Sequence, residues 1–146
     1  DRWAVLIGAW SILRGPGLVV AAGTATAADV LQGDGMFAGG AILPGVELMK
    51  LSLVRGTAGL SFSKGRFSRP PRSTADAIET GCLLAQAGAI ERMFAAMESG
   101  SKCVLTGGAA RRIARHLDIP VRIESHLVLE GLVRIARETM ERPGRS

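Results

Sequence analysis

The stretch Leu18-Val-Val-Ala-Ala-Gly-Thr-Ala-Thr-Ala-Ala-Asp29 constrains the fold of this chain more than any other. An uninterrupted apolar run from Leu18 to Ala22 stops at Gly23-Thr24, and an alternating Ala/Thr run then ends on Asp29. That pattern reads as strand, tight turn, strand. Glycine lets the backbone approach a ligand closely, and the threonine adds a hydroxyl beside exposed N–H groups. Such a turn can hold a phosphate, or it can be a plain connection. Asp34-Gly35 is a hairpin turn, after which Met36 to Ile42 gives a third strand containing Gly39-Gly40.

The rest of the chain arranges itself around this block. Residues 2 to 13 read as a helix with Trp3, Leu6, Ile7 and Trp10 on one face, broken by Gly15-Pro16-Gly17. Strands over 17–22, 25–31 and 36–42 form an antiparallel meander. Pro44-Gly45 opens a helix to about Arg55 that partly buries Val46, Leu48, Met49, Leu51 and Leu53. Residues 56 to 72 are a loop rich in Gly, Ser, Pro and Arg. A long helix spans 74–97, capped by Ser73 with Asp76 reaching back as in a capping box. Ile78, Cys82, Ala85 and Ala89 follow its helical spacing, and small Gly81, Ala85 and Gly88 favour a close helix contact, including one across a dimer. A strand at 102–106, a helix at 109–116, a strand at 121–124 and a helix at 127–141 follow, and 143–146 is a frayed tail. This order predicts an α/β, ribonuclease-H-like domain whose mixed sheet is flanked by helices, with ligands at the strand ends.

Several of these pieces, in this order, resemble the type III pantothenate kinases, a branch of the acetate kinase, sugar kinase, Hsp70 and actin superfamily that includes the Bvg accessory factors. The resemblance rests on Asp1-Arg2, on Gly23-Thr-Ala25, on Gly39-Gly40 through Pro44-Gly45, and on Ser73-Thr-Ala-Asp-Ala-Ile-Glu-Thr-Gly81. It continues through Leu105-Thr-Gly-Gly108 and His126-Leu-Val-Leu-Glu-Gly-Leu132. It covers nearly all of the chain. Family members also carry an N-terminal half with an Asp-x-Gly-Asn-Thr phosphate loop, which nothing here matches. The resemblance therefore implies a single C-terminal domain over 1–146, with 1–13 as a linking helix and the N-terminal domain absent. The activity implied is ATP-dependent phosphorylation of pantothenate to 4'-phosphopantothenate, the first step of coenzyme A synthesis, impaired in this chain alone. A non-catalytic regulatory protein on the same scaffold is the alternative.

The resemblance also assigns residues. Asp1 is implied as the general base on the primary alcohol of pantothenate, a task suited to a carboxylate ionised at neutral pH; as a plain alternative it caps the first helix. Arg2 is implied to contact pantothenate, and a guanidinium suits a carboxylate in bidentate fashion. In the first turn of a helix Arg2 would otherwise oppose the dipole. Thr24 aligns with the family threonine on ATP phosphate, with Gly23 allowing approach. Thr74 aligns with a substrate-contacting threonine, a role compatible with a helix-start hydroxyl. Gly107-Gly108 follows a strand and opens a helix, so its N–H groups could face the nucleotide or simply make the turn. The implied donor is ATP with magnesium. A monovalent cation, potassium or ammonium, is implied as well, but the family aspartate that holds it is Ala21 here, so no metal ligand is assigned. Ser73 stands where the family usually has asparagine.

Composition narrows the partners. The net charge is +5, and arginines supply 15 of the 18 basic residues. The densest basic segment, Lys64-Gly-Arg-Phe-Ser-Arg-Pro-Pro-Arg72, reads as a mobile loop, and Arg111, Arg112 and Arg115 as one helix face. Four Phe, two Trp and no Tyr leave few stacking platforms, which disfavours a nucleic-acid partner over a solvated basic surface. Cys82 and Cys103 read as buried thiols of a reducing cytoplasm, and His116 and His126 lack ligand spacing to them. No run is long enough to span a bilayer. The expected protein is cytoplasmic, a homodimer, and works on a small molecule.

Overall fold

The computed structural model describes residues 2–59 and 64–142. Asp1 therefore lies outside the described residues. The element order is α1 (Arg2–Leu13), β1 (Gly17–Ala22), β2 (Ala25–Leu31), β3 (Phe37–Pro44), α2 (Val46–Gly56), α3 (Thr74–Ala95), β4 (Lys102–Thr106), α4 (Ala110–Ala114), β5 (Val121–Ile123) and α5 (Leu127–Glu141). One five-stranded sheet runs in the order β3-β2-β1-β4-β5. β1, β2 and β3 pair antiparallel, and β1, β4 and β5 pair parallel. The expected mixed α/β sheet is thus what the chain forms.

Two apolar layers follow from strand alternation. Leu18, Val20 and Ala22 of β1 and Ala28 of β2 point to the layer shared with α3, where Cys82, Leu83 and Ile90 meet them. Val19 and Ala21 point the other way, toward α1 and the start of α5, with Val104 and Leu127. Both faces of β1 are covered, so its sequence reads as a continuous apolar run.

Several helix faces differ from expectation. In α1 the buried side is Ala4, Val5, Leu6, Gly8 and Ala9, whereas Trp3 is 61% exposed. The reason is that α1 packs on α5 backbone to backbone: a Cβ on Gly8 would stand 2.3 Å from the Leu127 carbonyl oxygen. Small residues decide that interface, and bulky ones are pushed to its margin. In α2, Leu48 and Leu53 are exposed and Lys50 is buried. In α3 the buried side is Glu79, Cys82, Leu83, Gln86 and Ile90, while Gly81, Ala85 and Gly88 face outward. The Asp76 backbone N–H donates to Ser73 Oγ at 3.1 Å, but the Asp76 carboxylate accepts from the Arg66 N–H at 2.8 Å rather than from the cap.

That bond belongs to a segment that the sequence presents as a mobile loop. Its described part is docked on α3. The Ser68 N–H donates to Thr80 Oγ1 at 3.0 Å, and the Phe67 ring stacks on His116 with centroids 4.0 Å apart. Bonds from its backbone N–H groups to the Asp76 and Thr80 side chains, and the stacking of one half-buried aromatic ring, hold it there.

Candidate active site

The sheet order puts the carboxyl ends of parallel β1 and β4 side by side, the position where open α/β sheets bind ligands. A cleft of about 340 Å³ opens there. Its floor is a row of small side chains, because Ala21 lies beside Ala27 on one side and Thr106 on the other. Its rim is formed by Gly23, Gly107, Ser125 and Val128, and its far wall by Arg2 and Val5 of α1. Residues separated by more than a hundred positions are gathered in one place.

Gly107 is required by its geometry. Its φ of +98° lies in the left-handed region, and a Cβ there would meet the Ala22 carbonyl oxygen at 2.3 Å. The Ala109 N–H donates to that same carbonyl at 3.1 Å. The turn after β4 is thereby stitched to the end of β1. Gly45 plays a similar part at the other turn: a Cβ on it would stand 2.2 Å from the Gly23 carbonyl oxygen, and its N–H donates to the Thr24 carbonyl at 2.8 Å. Thr24 itself is exposed at the β1–β2 turn.

Arg2 is the charged group among the described residues lining the cleft. Its Nε donates to Asp29 Oδ1 at 3.0 Å and to Oδ2 at 2.8 Å, and its Nη2 donates to Oδ1. The side chain of Asp29 is 4% exposed and that of Arg2 is 39% exposed. The bond to the carboxylate raises the guanidinium pKa further above its ordinary value, against the smaller opposite effect of burial. Sequence alone did not pair these residues. The signal was there: Asp29 shares the sheet face of Ala21 and Ala27, and it pairs across the strands with Gly40.

Thr74 lies elsewhere. It lines a second groove, of about 460 Å³, between α2 and α3, with Met49, Leu53, Ile78, Cys82 and Ala85. α3 covers the face of the sheet opposite α1, so Arg2, Gly23 and Gly107 are brought together and Thr74 of the same chain is not among them.

One arginine of the basic α4 face, Arg112, is paired. Arg112 Nη1 contacts Glu47 Oε1 at 2.6 Å and its Nη2 contacts Glu79 Oε1. Lys50 Nζ lies 2.8 Å from Glu79 Oε2. Burial alone would raise the Glu79 carboxyl, but the bonds from Arg112 and Lys50 outweigh it and hold the group below its ordinary value. This network joins α2, α3 and α4, and the sequence reading missed it. Among the described residues no group of three or more His, Cys, Asp or Glu is placed to hold a metal. No described helix is long and apolar enough to cross a membrane.

Comparison with known proteins decides the family, because the model of the type III pantothenate kinases matches residues 1–96. The chain belongs to the type III pantothenate kinase family. A type III pantothenate kinase of Azoarcus sp. strain BH72 is 54% identical over 138 residues, covering 93% of this chain and 52% of that protein. This chain spans about half the length of the curated type III pantothenate kinases it matches. Among solved structures, a conserved Baf family transcriptional activator from Campylobacter jejuni superposes with a TM-score of 0.73 at 25% identity, covering 97% of this chain and 65% of that one. A 2-dehydro-3-deoxygalactonokinase protein from Sinorhizobium meliloti gives a TM-score of 0.67 at 18% identity, over 93% of this chain and 58% of that one, and shows the shared sugar-kinase-like fold.

For a type III pantothenate kinase, the monovalent cation implied by the family meets a poor donor set in this cleft. Ala21 offers a methyl group, and both oxygens of Asp29 are taken by Arg2. Among the described residues lining the cleft, Thr106 and Ser125 hydroxyls and main-chain carbonyls remain, without a carboxylate. These residues do not fit a carboxylate-held cation.

Proposed function

We propose that this chain is the C-terminal part of an enzyme that transfers the γ-phosphate of magnesium-bound ATP to the primary hydroxyl of pantothenate. Phosphoryl transfer asks a protein mainly to position two substrates and to neutralise charge. The observation that carries the reading is the meeting of Arg2, Gly23 and Gly107 around one cleft at the ends of β1 and β4. Gly23, Thr24 and Gly107-Gly108 supply close-approaching backbone on the nucleotide side. Arg2 receives the pantothenate carboxylate. Asp1, next to Arg2 in the chain, takes the proton of the attacking hydroxyl as the new P–O bond forms and ADP departs. The phosphate loop of the N-terminal half completes the nucleotide site.

Thr74 enters this scheme through a second copy. The groove it lines is largely apolar, with small Ala77, Gly81 and Ala85 on its α3 side, and Gly81 has open space above its Cα. A homodimer packed over α2 and α3 would cover this groove and bring Thr74 of each copy toward the acceptor side of the other.

One observation favours a second reading, a regulatory protein on the same scaffold: Ala21 removes the implied cation ligand. The two are separated by a coupled ATP-to-ADP assay with pantothenate, using this chain joined to the family N-terminal half. Pantothenate-dependent turnover supports the kinase. Turnover only in Ala21→Asp, dependent on potassium, identifies a kinase disabled at that position. No turnover in either supports the regulator.

A further inference from the structure

Asp29 and Gly40 have no part in the scheme above, yet they build the seat on which Arg2 rests. Asp29 pairs with Gly40 across β2 and β3. A Cβ on Gly40 would stand 2.1 Å from Asp29 Oδ1, so only glycine leaves room for the carboxylate at that place. The carboxylate engages Arg2 through Nε and Nη2, while Nη1 takes no part in the pair. The Phe37 ring lies 5.3 Å from Arg2 Cζ and closes another side. An arginine on the first turn of a helix otherwise samples many rotamers, and fixing one of them removes an entropic cost from ligand binding.

The geometry points to Asp29 as a positioning residue for substrate selection. Held by Gly40, it fixes the Arg2 guanidinium so that Nη1 meets the carboxylate of the acceptor, and it thereby selects acidic acceptors over neutral ones. This rests on the functional reading given above. It makes Asp29 act through Arg2 and not on the reacting hydroxyl.

The test is steady-state kinetics of the full-length enzyme with pantothenate and with pantothenol, the analogue that has a hydroxyl in place of the carboxylate. In Asp29→Asn and in Gly40→Ala, KM for pantothenate rises about tenfold, while kcat and the KM for pantothenol change less than about twofold. Equal losses on both substrates, or unchanged KM for pantothenate, overturn the proposal. In an Arg2→Gln background, Asp29→Asn adds nothing to the preference between the two substrates; a further loss there also overturns it. If the wild type phosphorylates neither compound, the functional reading fails, and the seat is judged separately by NMR of the Arg2 Nε–H. A slowly exchanging signal lost in both variants supports the seat, and a rapidly exchanging wild-type signal overturns it.

Discussion

Gly131 of α5 lies against Ala4 of α1 so closely that a Cβ on it would stand 1.8 Å from the Ala4 carbonyl oxygen. The contact is backbone on backbone, and no side chain can move aside to relieve a clash. It also sets the position of α1, whose first residue is Arg2. Gly131→Ala is therefore expected to cost about 3 kcal/mol in denaturant unfolding, at the upper end of overpacking penalties. Gly81→Ala makes the contrast. That glycine has nothing within 4 Å of its Cβ position, so in a monomer the substitution should add about 1 kcal/mol through helix propensity alone.

The same Gly81 surface tests the dimer. Ala85→Arg puts a charge into the apolar groove between α2 and α3 without touching the buried side of α3. Sedimentation should show a dimer in the wild type and a monomer in the variant, with the unfolding midpoint of the monomeric fold little changed.

Acid should weaken the fold in two stages. Burial first, then the nearby Arg69, Arg115 and Arg112, lower the His116 pKa, so the folded state takes up this proton less readily than the unfolded chain. The unfolded chain takes up the proton first, and stability falls as pH drops below the ordinary value of 6.5. Glu79 has a lowered pKa as well, so its contribution is complete above its ordinary value of 4.5 and is lost as pH falls through the folded value. Urea midpoints between pH 8 and pH 3 should show both declines. His116→Phe, which keeps a ring against Phe67, should remove the first, and Glu79→Gln at pH 7 should cost about 2 kcal/mol, because Lys50 and Arg112 lose the buried carboxylate between them while Arg112 keeps Glu47.

Thiol chemistry reports on the sheet itself. Cys103 of β4 is buried, and burial pushes its pKa up to about 12. Cys82 of α3 is raised too, by burial first. Neither should react with iodoacetamide at pH 8 in the folded protein, and both should react once it is unfolded. Rapid labelling of Cys103 in the native state would contradict the packing of β4 between β1 and β5.

The elements were legible because hydrophobic periodicity and turn residues carry them. β1 and α5 have the expected bounds, and β3 ends two residues later than expected, at Pro44. The glycines were legible as turn positions: Gly107 makes the turn after β4 and Gly45 stands just before α2, and only the fold shows how tightly each packs on backbone, while a Cβ on Gly23 would meet nothing nearer than 3.8 Å. What the sequence hid was the partner of each polar group. Asp29 with Arg2, Lys50 with Glu79, and Gln86 Nε2 with the Pro44 carbonyl at 2.7 Å join residues from separate elements. Charge alone marks such side chains as solvent-facing, and only the fold shows that they are paired, with Asp29, Lys50, Glu79 and Gln86 buried. The face of α1 was hidden for a related reason: apolar size marks Trp3 for burial, whereas small Ala4 and Gly8 make the tight backbone contact and Trp3 is exposed.

Phosphoryl transfer at the cleft is read in its product. Full-length protein, ATP, magnesium and pantothenate should yield a compound one phosphate heavier than pantothenate by mass spectrometry, with the phosphate on its primary alcohol. Arg2→Gln should slow its formation at low pantothenate and restore it at high concentration. A wild-type protein that binds ATP yet never yields that compound, with or without potassium, would contradict the assignment of this cleft to phosphoryl transfer.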